Sequence, residues 1–211
     1  MFSCQGLRGI ILELRERIIK AAEQVIQEKG LAYTTTKEIA RTAGCSEGSL
    51  YNNFESKEDV FLHVLRGQLR NFMGILKSLR DRIGNGTVRS HLDEVANAAV
   101  EDYYYSTPLM AAVFSEPGLL SRHREGFTER NEGPHRANEA VEAYLRGEQQ
   151  LGRLSEHVDP RAAADMLLGS CFQYSFQRRF LGEELSSEAK TRFTKQLLDT
   201  LFQVLTSDRD N

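Results

Sequence analysis

Three helix starts follow one another closely in the first third of the chain, and they constrain the fold more than any other feature. Thr35 and Glu38 form a capping-box pair, in which each side chain satisfies a free backbone N–H at a helix start. They predict a helix from about Thr36 to Ala43. Ser46 caps a second helix, which we expect to run from Glu47 to about Asn53.

A short turn separates these two helices, and a third helix begins directly behind them. Gly44 closes the first helix because glycine readily adopts the left-handed conformation. Ser56 and Asp59 repeat the capping arrangement, so a long helix is expected to begin near Lys57. Two short helices joined by about three residues are typical of a helix-turn-helix, which makes DNA the leading candidate partner.

The residues before this motif predict a helix that covers it. Residues 13–30 carry apolar side chains at helical spacing, with charged residues opposite and Gly30 at the end. The predicted three-helix core consists of Ile18, Ala21, Ala22, Val25, Ile26, Ile39, Ala40, Ala43, Leu50 and Phe54. This packing leaves Ser49, Tyr51 and Asn52 of the second motif helix facing outward.

The segment from Arg15 to Leu65 resembles the DNA-binding domain of the TetR (tetracycline repressor) family of bacterial transcription regulators. The matching residues are Gly30, Thr35, Ile39, Ala40, Ala43, Gly44, Ser46, Gly48, Leu50, Tyr51, Phe54, Lys57 and Glu58. The resemblance implies an all-α protein with an N-terminal arm and three-helix helix-turn-helix domain (residues 1–56). A continuous helix would join it to a helical ligand-binding and dimerisation domain (residues 57–211).

The resemblance also implies roles for individual side chains. By this resemblance, the residues that contact phosphates are Thr35, Ser46, Tyr51 and Lys57. The residues nearest the base edges are Gly48, Ser49 and Asn52. Hydroxyls and lysines are usual phosphate ligands, whereas side chains that face the groove read the sequence. The complete candidate DNA-binding set is Thr35, Ser46, Glu47, Gly48, Ser49, Tyr51, Asn52, Asn53 and Lys57.

Three positions depart from the family pattern. Asn52 and Asn53 stand where the family often has an aromatic residue and a histidine. Because asparagine can bond adenine through two hydrogen bonds, Asn52 is a candidate base reader. Cys45 stands where an aliphatic residue is usual, and we interpret it as a small buried hydrophobe, with a redox-sensitive thiol as the alternative.

Charge and composition add weaker constraints. Residues 1–66 carry nine Lys and Arg against nine Asp and Glu, so DNA binding must depend on a few well-placed cations and on helix dipoles. The longest apolar runs are too short for a membrane span or a signal peptide. Three cysteines without pairing or metal spacing predict a reducing, cytoplasmic location. Neither a cofactor nor a metal site is predicted, because the histidines lack ligand spacing.

Further helices are expected in the rest of the chain, arranged around a ligand cavity. We predict one from Val88 to Tyr105, a short segment from Thr107-Pro108 to Pro117-Gly118, and a helix after Asn131–Pro134 that ends near Gly152. The candidate ligand-binding residues are Phe72, Met73, Leu76, Tyr103, Met110, Phe114, Phe127, Tyr144 and Phe172. They favour an apolar or aromatic ligand, and ordinary core packing is the alternative for each.

The last two helices are predicted to assemble two copies of the chain. Asp159-Pro160 opens one, and Ser186 or Ser187 opens the other. Both are apolar over more than one face, so a second surface must cover them. In the resembled family these helices form a four-helix dimer interface, and Gly169 would allow a close approach. The alternative is that the extra apolar face packs within the subunit.

The function expected from these features is a ligand-responsive DNA-binding regulator. We expect a repressor that binds a palindromic operator as a homodimer and is released by a small, largely apolar or aromatic effector. The alternative is a protein-interaction module that keeps the motif as a scaffold. An enzyme is not expected, because no nucleophile, phosphate-loop or metal motif occurs. Residues 1–14 form either an arm, which would reach the minor groove through Arg8, or a frayed extension of the first helix.

Overall fold

In the computed structural model, which describes residues 4–130 and 133–206, every regular element is helical, and the predicted all-α class is confirmed. The α-helices are α1 (Cys4–Lys29), α2 (Thr36–Ala43), α3 (Glu47–Tyr51), α4 (Lys57–Gln68), α5 (Arg70–Ser78), α6 (Val88–Ser115), α7 (Pro117–Arg130), α8 (His135–Gln150), α9 (Pro160–Phe180) and α10 (Ser187–Leu205). Short 3-10 helices, Leu31–Tyr33 and Leu79–Arg82, follow α1 and α5. None of the described helices has an uncharged apolar stretch that could span a membrane.

Helix α2 begins and ends as predicted. The Thr35 hydroxyl accepts a hydrogen bond from the Glu38 backbone N–H at 3.2 Å, and the Glu38 carboxylate bonds the Thr35 backbone in return. Gly44 closes the helix at φ 66° and ψ 40°, in the left-handed region where a side chain would be strained. The predicted capping box and helix end are confirmed.

The next two helices follow from the same local chemistry. The Ser46 hydroxyl accepts from the Ser49 backbone N–H at 3.1 Å and starts α3. The Ser56 hydroxyl accepts from the Asp59 backbone N–H at 3.2 Å at the start of α4. Helix α3 is slightly shorter than expected, because Asn52 already forms its C-cap.

The chain divides into two compact units. The first comprises Met1–Gln68 and Pro108–Arg124, and the second comprises Leu69–Thr107 and Glu125–Asn211. The domain boundary predicted at residue 57 precedes α4, whereas by packing α4 belongs to the first unit.

The first unit has a core built around the helix-turn-helix. Its buried residues include most of the predicted core, with Ile18, Ile39 and Leu50 fully buried. The C-terminal part of α6 and the start of α7 add three further side chains, namely Leu109, Val113 and Leu119. The helix-turn-helix therefore packs against residues that follow it by more than 50 positions.

The second unit has a separate core made by five helices. Its buried residues come from α5, the N-terminal part of α6, α8, α9 and α10 and include Phe72, Leu92, Val141, Leu167 and Leu198. The predicted caps of the last two helices are confirmed. The Asp159 carboxylate accepts from two backbone N–H groups at the start of α9, and the Ser186 hydroxyl accepts from one at the start of α10.

Two helix boundaries differ from the prediction. The helix expected to continue after Lys57 is divided at Leu69 (φ −99°, ψ 9°) into α4 and α5. The Asp102 carboxylate accepts from the Phe72 backbone N–H at 2.9 Å, and in a continuous helix that N–H would bond the carbonyl four residues earlier. A buried carboxylate from α6 therefore accepts a hydrogen bond from a backbone N–H in the first turn of α5.

The segment expected to begin at Thr107-Pro108 is instead part of α6. Pro108 lies inside the helix, where proline removes one backbone hydrogen bond and usually costs about 3 kcal/mol. The Thr107 hydroxyl bonds the Tyr103 carbonyl at 2.6 Å, and Leu109 beyond the proline is buried in the first core. Burial of the side chains after Pro108 stabilises the helix and offsets the free-energy cost of the proline.

Two predicted features lie partly outside the described residues. Residues 4–14 belong to α1, so the chain before the motif extends the first helix, whereas residues 1–3 and the Arg8 side chain are outside the described part. The break expected at Asn131–Pro134 is described only for Gly133 and Pro134, which directly precede α8. That helix ends at Gln150, close to the predicted Gly152.

Candidate functional site

Helix α3 has one buried face and one exposed face. Leu50 is completely buried and Phe54, just beyond the helix, is 2 % exposed, so these two side chains anchor the helix in the first core. Tyr51 is 50 % exposed and Asn52 is also exposed. The outward position predicted for Ser49, Tyr51 and Asn52 is therefore observed for Tyr51 and Asn52, whereas Ser49 is half-buried.

The hydroxyls around α3 combine capping with exposure. The Ser46 and Ser49 hydroxyls lie 2.9 Å apart, and Ser46 is exposed at the helix start. Glu47 and Gly48 are also exposed in this first turn. Thr35 occupies the corresponding exposed start of α2. Backbone N–H groups and hydroxyls at two helix starts are thus brought into the same unit.

Asn53 differs from its neighbour Asn52. Its side-chain amide donates to the Ser49 carbonyl at 2.8 Å, and its own backbone carbonyl accepts from the Arg15 guanidinium of α1. The side chain is half-buried. The structure therefore places Asn53 at the C-terminal end of α3 and uses its polar groups within the chain.

Two cations lie at the start of α4. The Lys57 ammonium lies 5.2 Å from the centre of the Phe61 ring at the start of α4. Arg122 of α7 donates to the Ser56 hydroxyl at 2.9 Å. The Glu58 carboxyl has a lowered pKa, mainly because a backbone N–H bonds it and also because Ser56, Arg122 and Lys57 are near. Sequence reasoning missed Arg122, since no local signal links it to a serine 66 positions earlier.

A second lysine is already paired inside the unit. Lys29 forms an ion pair with Glu38 of the capping box, and this hydrogen bond is the largest cause of the lowered pKa of the Glu38 carboxyl. The thiol of Cys45 in the turn is half-buried against the first core, and burial raises its pKa while Arg17 opposes the shift. A protonated, packed thiol favours the interpretation of Cys45 as a small hydrophobe.

The candidate ligand-binding residues are divided between the two units. Phe72, Leu76 and Tyr144 are at most 3 % exposed and belong to the second core, and Met73 packs against it. Phe127 is half-buried in the second unit. Met110 packs against the first core, whereas Phe114 belongs to the first unit and is 61 % exposed.

Three of these candidates form one aromatic cluster. The ring of Tyr103 lies edge-on to Phe72 at 5.4 Å and to Phe172 at 5.6 Å between ring centres. Burial raises the pKa of the Tyr103 hydroxyl, and Phe172 at the outer end is 42 % exposed. The cluster therefore runs from the interior of the second unit to the surface of α9.

Helices α9 and α10 expose different surfaces. The exposed side of α9 carries an apolar row, here called the α9 stripe, that consists of Met166, Gly169, Phe172, Phe176 and Phe180. The rings of Phe172 and Phe176 stack at 6.3 Å, and those of Phe176 and Phe180 at 5.9 Å. On α10, by contrast, Leu198 and Leu201 are buried, and Val204 is exposed among polar residues. The second apolar face predicted for α10 packs mainly within its own unit.

Both parts of the chain match sequence families of regulators. Residues 18–64 match the bacterial regulatory proteins of the tetR family. Residues 110–204 match the C-terminal domain of AefR-like transcriptional repressors. The chain belongs to the TetR family of bacterial transcription regulators. The matched families are transcriptional regulators and not enzymes.

Individual proteins resemble most of this chain in sequence or in structure. The Bacillus subtilis regulator YvkB, an uncharacterised helix-turn-helix protein, is 27 % identical over 177 residues, which cover 82 % of this chain and 86 % of YvkB. A TetR-family regulator from Mesorhizobium loti has a similar structure, with a TM-score of 0.74, 20 % identity and coverage of 93 % and 98 % of the two chains. FadR from Bacillus subtilis in complex with stearoyl-CoA has a TM-score of 0.65, 19 % identity and coverage of 90 % and 98 %. At these identities the structural likeness shows the fold.

Proposed function

We propose that this TetR-family regulator is a homodimeric repressor that binds a palindromic operator through α3 and is released by a small, largely apolar or aromatic effector. We assign DNA binding to residues 1–56 with Lys57, and ligand binding and dimerisation to residues 57–211. The observation that carries the proposal is the exposed face of α3. Tyr51 and Asn52 project from a short helix whose other face is fixed in the core by Leu50 and Phe54.

This face fits a DNA groove for three reasons. The exposed hydroxyls at Thr35 and Ser46 lie beside helix N-termini, where backbone N–H groups and the helix dipole favour phosphate. A Cβ atom added to Gly48 would meet nothing in the chain closer than the Ser46 hydroxyl at 3.8 Å. Internal packing therefore does not require this glycine, whereas close approach by a phosphate backbone would. The Asn52 amide is the candidate base reader.

Dimerisation is proposed through the α9 stripe. Exposed aromatic rings of this number need a covering surface in water, and a C2 interface covers a patch with its own copy. A Cβ atom at Gly169 would meet nothing within 4 Å, so a second helix has room to approach there. Helix α10 would line the same interface with a more polar surface. Two α3 helices related by such an axis would read half-sites about 10 bp apart, or a multiple of it.

The dimer has a direct test. Phe176→Glu puts a charge in the middle of the stripe and should give a monomer in sedimentation at micromolar concentration, because the charge cannot be paired in an apolar interface. Phe114→Glu is the matched control, since Phe114 is even more exposed but lies in the first unit. A Phe176→Glu protein that remains dimeric would refute assembly through α9.

The effector proposal rests on the aromatic cluster of Phe72, Tyr103 and Phe172. The solved FadR protein carries stearoyl-CoA, a ligand with a long apolar chain. We therefore use stearoyl-CoA as the first probe and naphthalene-type aromatics as the second. An effector that binds the DNA-free state more tightly by about 1–3 kcal/mol would weaken operator binding by roughly 5–150-fold. DNA binding that no apolar or aromatic probe changes would count against this part of the proposal.

The central experiment captures DNA. Purified protein is mixed with sheared genomic DNA from its source at near-physiological salt, and the bound fragments are sequenced. We expect an enriched palindrome, which Tyr51→Ala loses and Tyr105→Ala keeps. Tyr105 is the matched control because it has the same 50 % exposure on α6 of the second unit. If wild-type protein enriches nothing, operator binding by the free protein is wrong, and the protein-interaction module becomes the better account.

A further inference from the structure

Arg15 of α1 connects three elements of the first unit. One guanidinium nitrogen donates to the Asn53 carbonyl at 2.5 Å, at the C-terminal end of α3. Another lies 2.6 Å from the His63 Nε2 atom on α4. The guanidinium carbon lies 4.4 Å from the centre of the Phe54 ring. The Arg15 side chain thus contacts His63 on α4, the Asn53 carbonyl just beyond α3, and the Phe54 ring that anchors α3 in the first core.

Helix α3 needs such an external contact. It has five residues, and a helix of this length does not hold its own conformation in water. Its start is capped by Ser46, whereas its last carbonyls need other donors. The Asn53 side chain satisfies the Ser49 carbonyl, and Arg15 satisfies the Asn53 carbonyl. Arg15 therefore holds the carbonyl that follows the C-cap of the helix that carries Tyr51.

The geometry requires an arginine. A guanidinium donates in several directions within one plane and also stacks on an aromatic ring, whereas an ammonium is a compact charge. Because arginine has no acceptor, a hydrogen bond between these two groups requires the His63 Nε2 atom to accept. The same ring lies edge-on to Phe54 at 5.5 Å, with the Asp59 carboxylate 3.5 Å from Nε2. His63 and Phe54 thereby fix the plane of the guanidinium.

We propose that Arg15, oriented by His63 and Phe54, is a positioning residue that sets the C-terminal end of the DNA-reading helix. This inference rests on the proposed function. Asn52 lies one residue and Tyr51 two residues before Asn53, whose carbonyl accepts from Arg15. A displacement of that carbonyl therefore moves both side chains relative to the groove, where base recognition tolerates about 0.5 Å. Arg15 itself touches the protein and not the DNA in this role.

The first test uses the full-length protein without DNA. Amide hydrogen exchange is compared between wild type, Arg15→Met and Lys20→Met, where Lys20 is an exposed cation on the same helix. We expect Arg15→Met to speed exchange at Asn52, Asn53 and Phe54 at least about tenfold while the α2 amides keep their rates. Unchanged exchange at the end of α3 would overturn the proposal. A uniform increase in both helices would overturn it too, since it would indicate a general loss of stability.

The second test measures affinity for the DNA fragment enriched in the capture experiment and for the same fragment with its palindrome scrambled. We expect both Arg15→Lys and Arg15→Met to lose at least about fivefold in the ratio of the two affinities, the lower end of what one base contact contributes. The dependence of affinity on salt should stay as in wild type. If Arg15→Met instead lowers the salt slope by about one and Arg15→Lys behaves as wild type, Arg15 is a phosphate contact and the proposal is wrong.

The two tests separate this inference from the function on which it rests. If no fragment is enriched by wild-type protein, the proposed operator binding fails, and hydrogen exchange still decides whether Arg15 holds the end of α3. If a fragment is enriched and both Arg15 variants keep the wild-type affinity ratio, DNA binding stands and the positioning role is refuted. His63→Leu should reproduce the effect of Arg15→Lys, and His63→Gln, which keeps an acceptor, should restore most of the ratio.

Discussion

The two units of this regulator use polar side chains in different ways. In the first unit the polar groups of the candidate site lie at helix starts and on the exposed face of α3, where they cap helices and remain accessible. In the second unit carboxylates and hydroxyls are buried between helices, among them Asp102, Glu148 and Ser175. The first arrangement suits a polar partner such as DNA, whereas the second fixes the packing of helices that are far apart in sequence.

The buried Glu148 gives the largest expected effect on stability. It is fully buried, accepts from the Gly84 backbone N–H at 3.1 Å, and pairs with the Arg153 guanidinium at 2.9 Å. Glu148→Ala leaves these groups without their partner, and we expect a loss of about 3 kcal/mol in the free energy of unfolding. Urea denaturation measures it. The matched control is Glu188→Ala, which removes an exposed ion pair on α10 and should change stability by at most about 0.5 kcal/mol.

Equal losses in the two variants would contradict the contrast between buried and exposed polar groups. They would mean that the Glu148 network is as hydrated as a surface ion pair.

The buried Asp102 predicts a specific dependence of stability on pH. Burial is the main cause that raises the pKa of its carboxyl from 3.8 to about 6, and Glu101 adds to the shift. The folded protein therefore keeps this proton in a range where the unfolded chain has lost it. The contribution of Asp102 to stability falls as the pH rises from about 4 to about 6 and is constant above that range.

Asp102→Asn keeps an oxygen that can accept from the Phe72 N–H and removes the titration. We expect the variant to be more stable than wild type at pH 7.5 by about 1–3 kcal/mol and to lack the fall between pH 4 and 6. Thermal unfolding across pH measures both effects, with the exposed Asp199→Asn as the control. A variant with the wild-type pH profile would show that the Asp102 carboxyl is not the titrating group.

The cap of α2 gives the smallest expected effect. Thr35→Ala removes the oxygen that accepts the Glu38 backbone N–H, and we expect a loss of about 1 kcal/mol in the free energy of unfolding. Thr35→Ser keeps the oxygen and should lose less than about half of that. If alanine and serine are equally stable, the hydroxyl does not cap the helix, and the observed geometry does not contribute to stability.

This difference between the units also explains what the sequence could predict. Caps are local, because Thr35, Ser46, Ser56, Asp159 and Ser186 lie within three residues of the N–H groups that they bond. The helix starts and the outward face of α3 could therefore be predicted from short sequence patterns. The part of the first core that α1, α2 and α3 supply was predicted for the same reason, whereas Leu109, Val113 and Leu119 of α6 and α7 were not predicted.

Contacts between residues far apart in the sequence could not be predicted from such patterns. The break at Leu69 depends on the Asp102 carboxylate 30 positions after Phe72, and Arg15 reaches a carbonyl 38 positions later. Pro108 was predicted to begin a new segment because proline is a strong local signal, whereas burial of Leu109 keeps the helix continuous. Apolar content alone did not distinguish α10, which packs inward, from α9, which exposes its aromatic stripe.

The most direct test of the account concerns the base preference of α3. Wild type and Asn52→Ala are each incubated with a library in which every position of the captured fragment is randomised, and the bound DNA is sequenced. The account predicts that Asn52→Ala loses the preference for adenine at one position in each half-site and keeps the other preferences. A uniform loss of affinity across all sequences, or an unchanged preference at every position, would contradict the claim that the exposed face of α3 reads the operator.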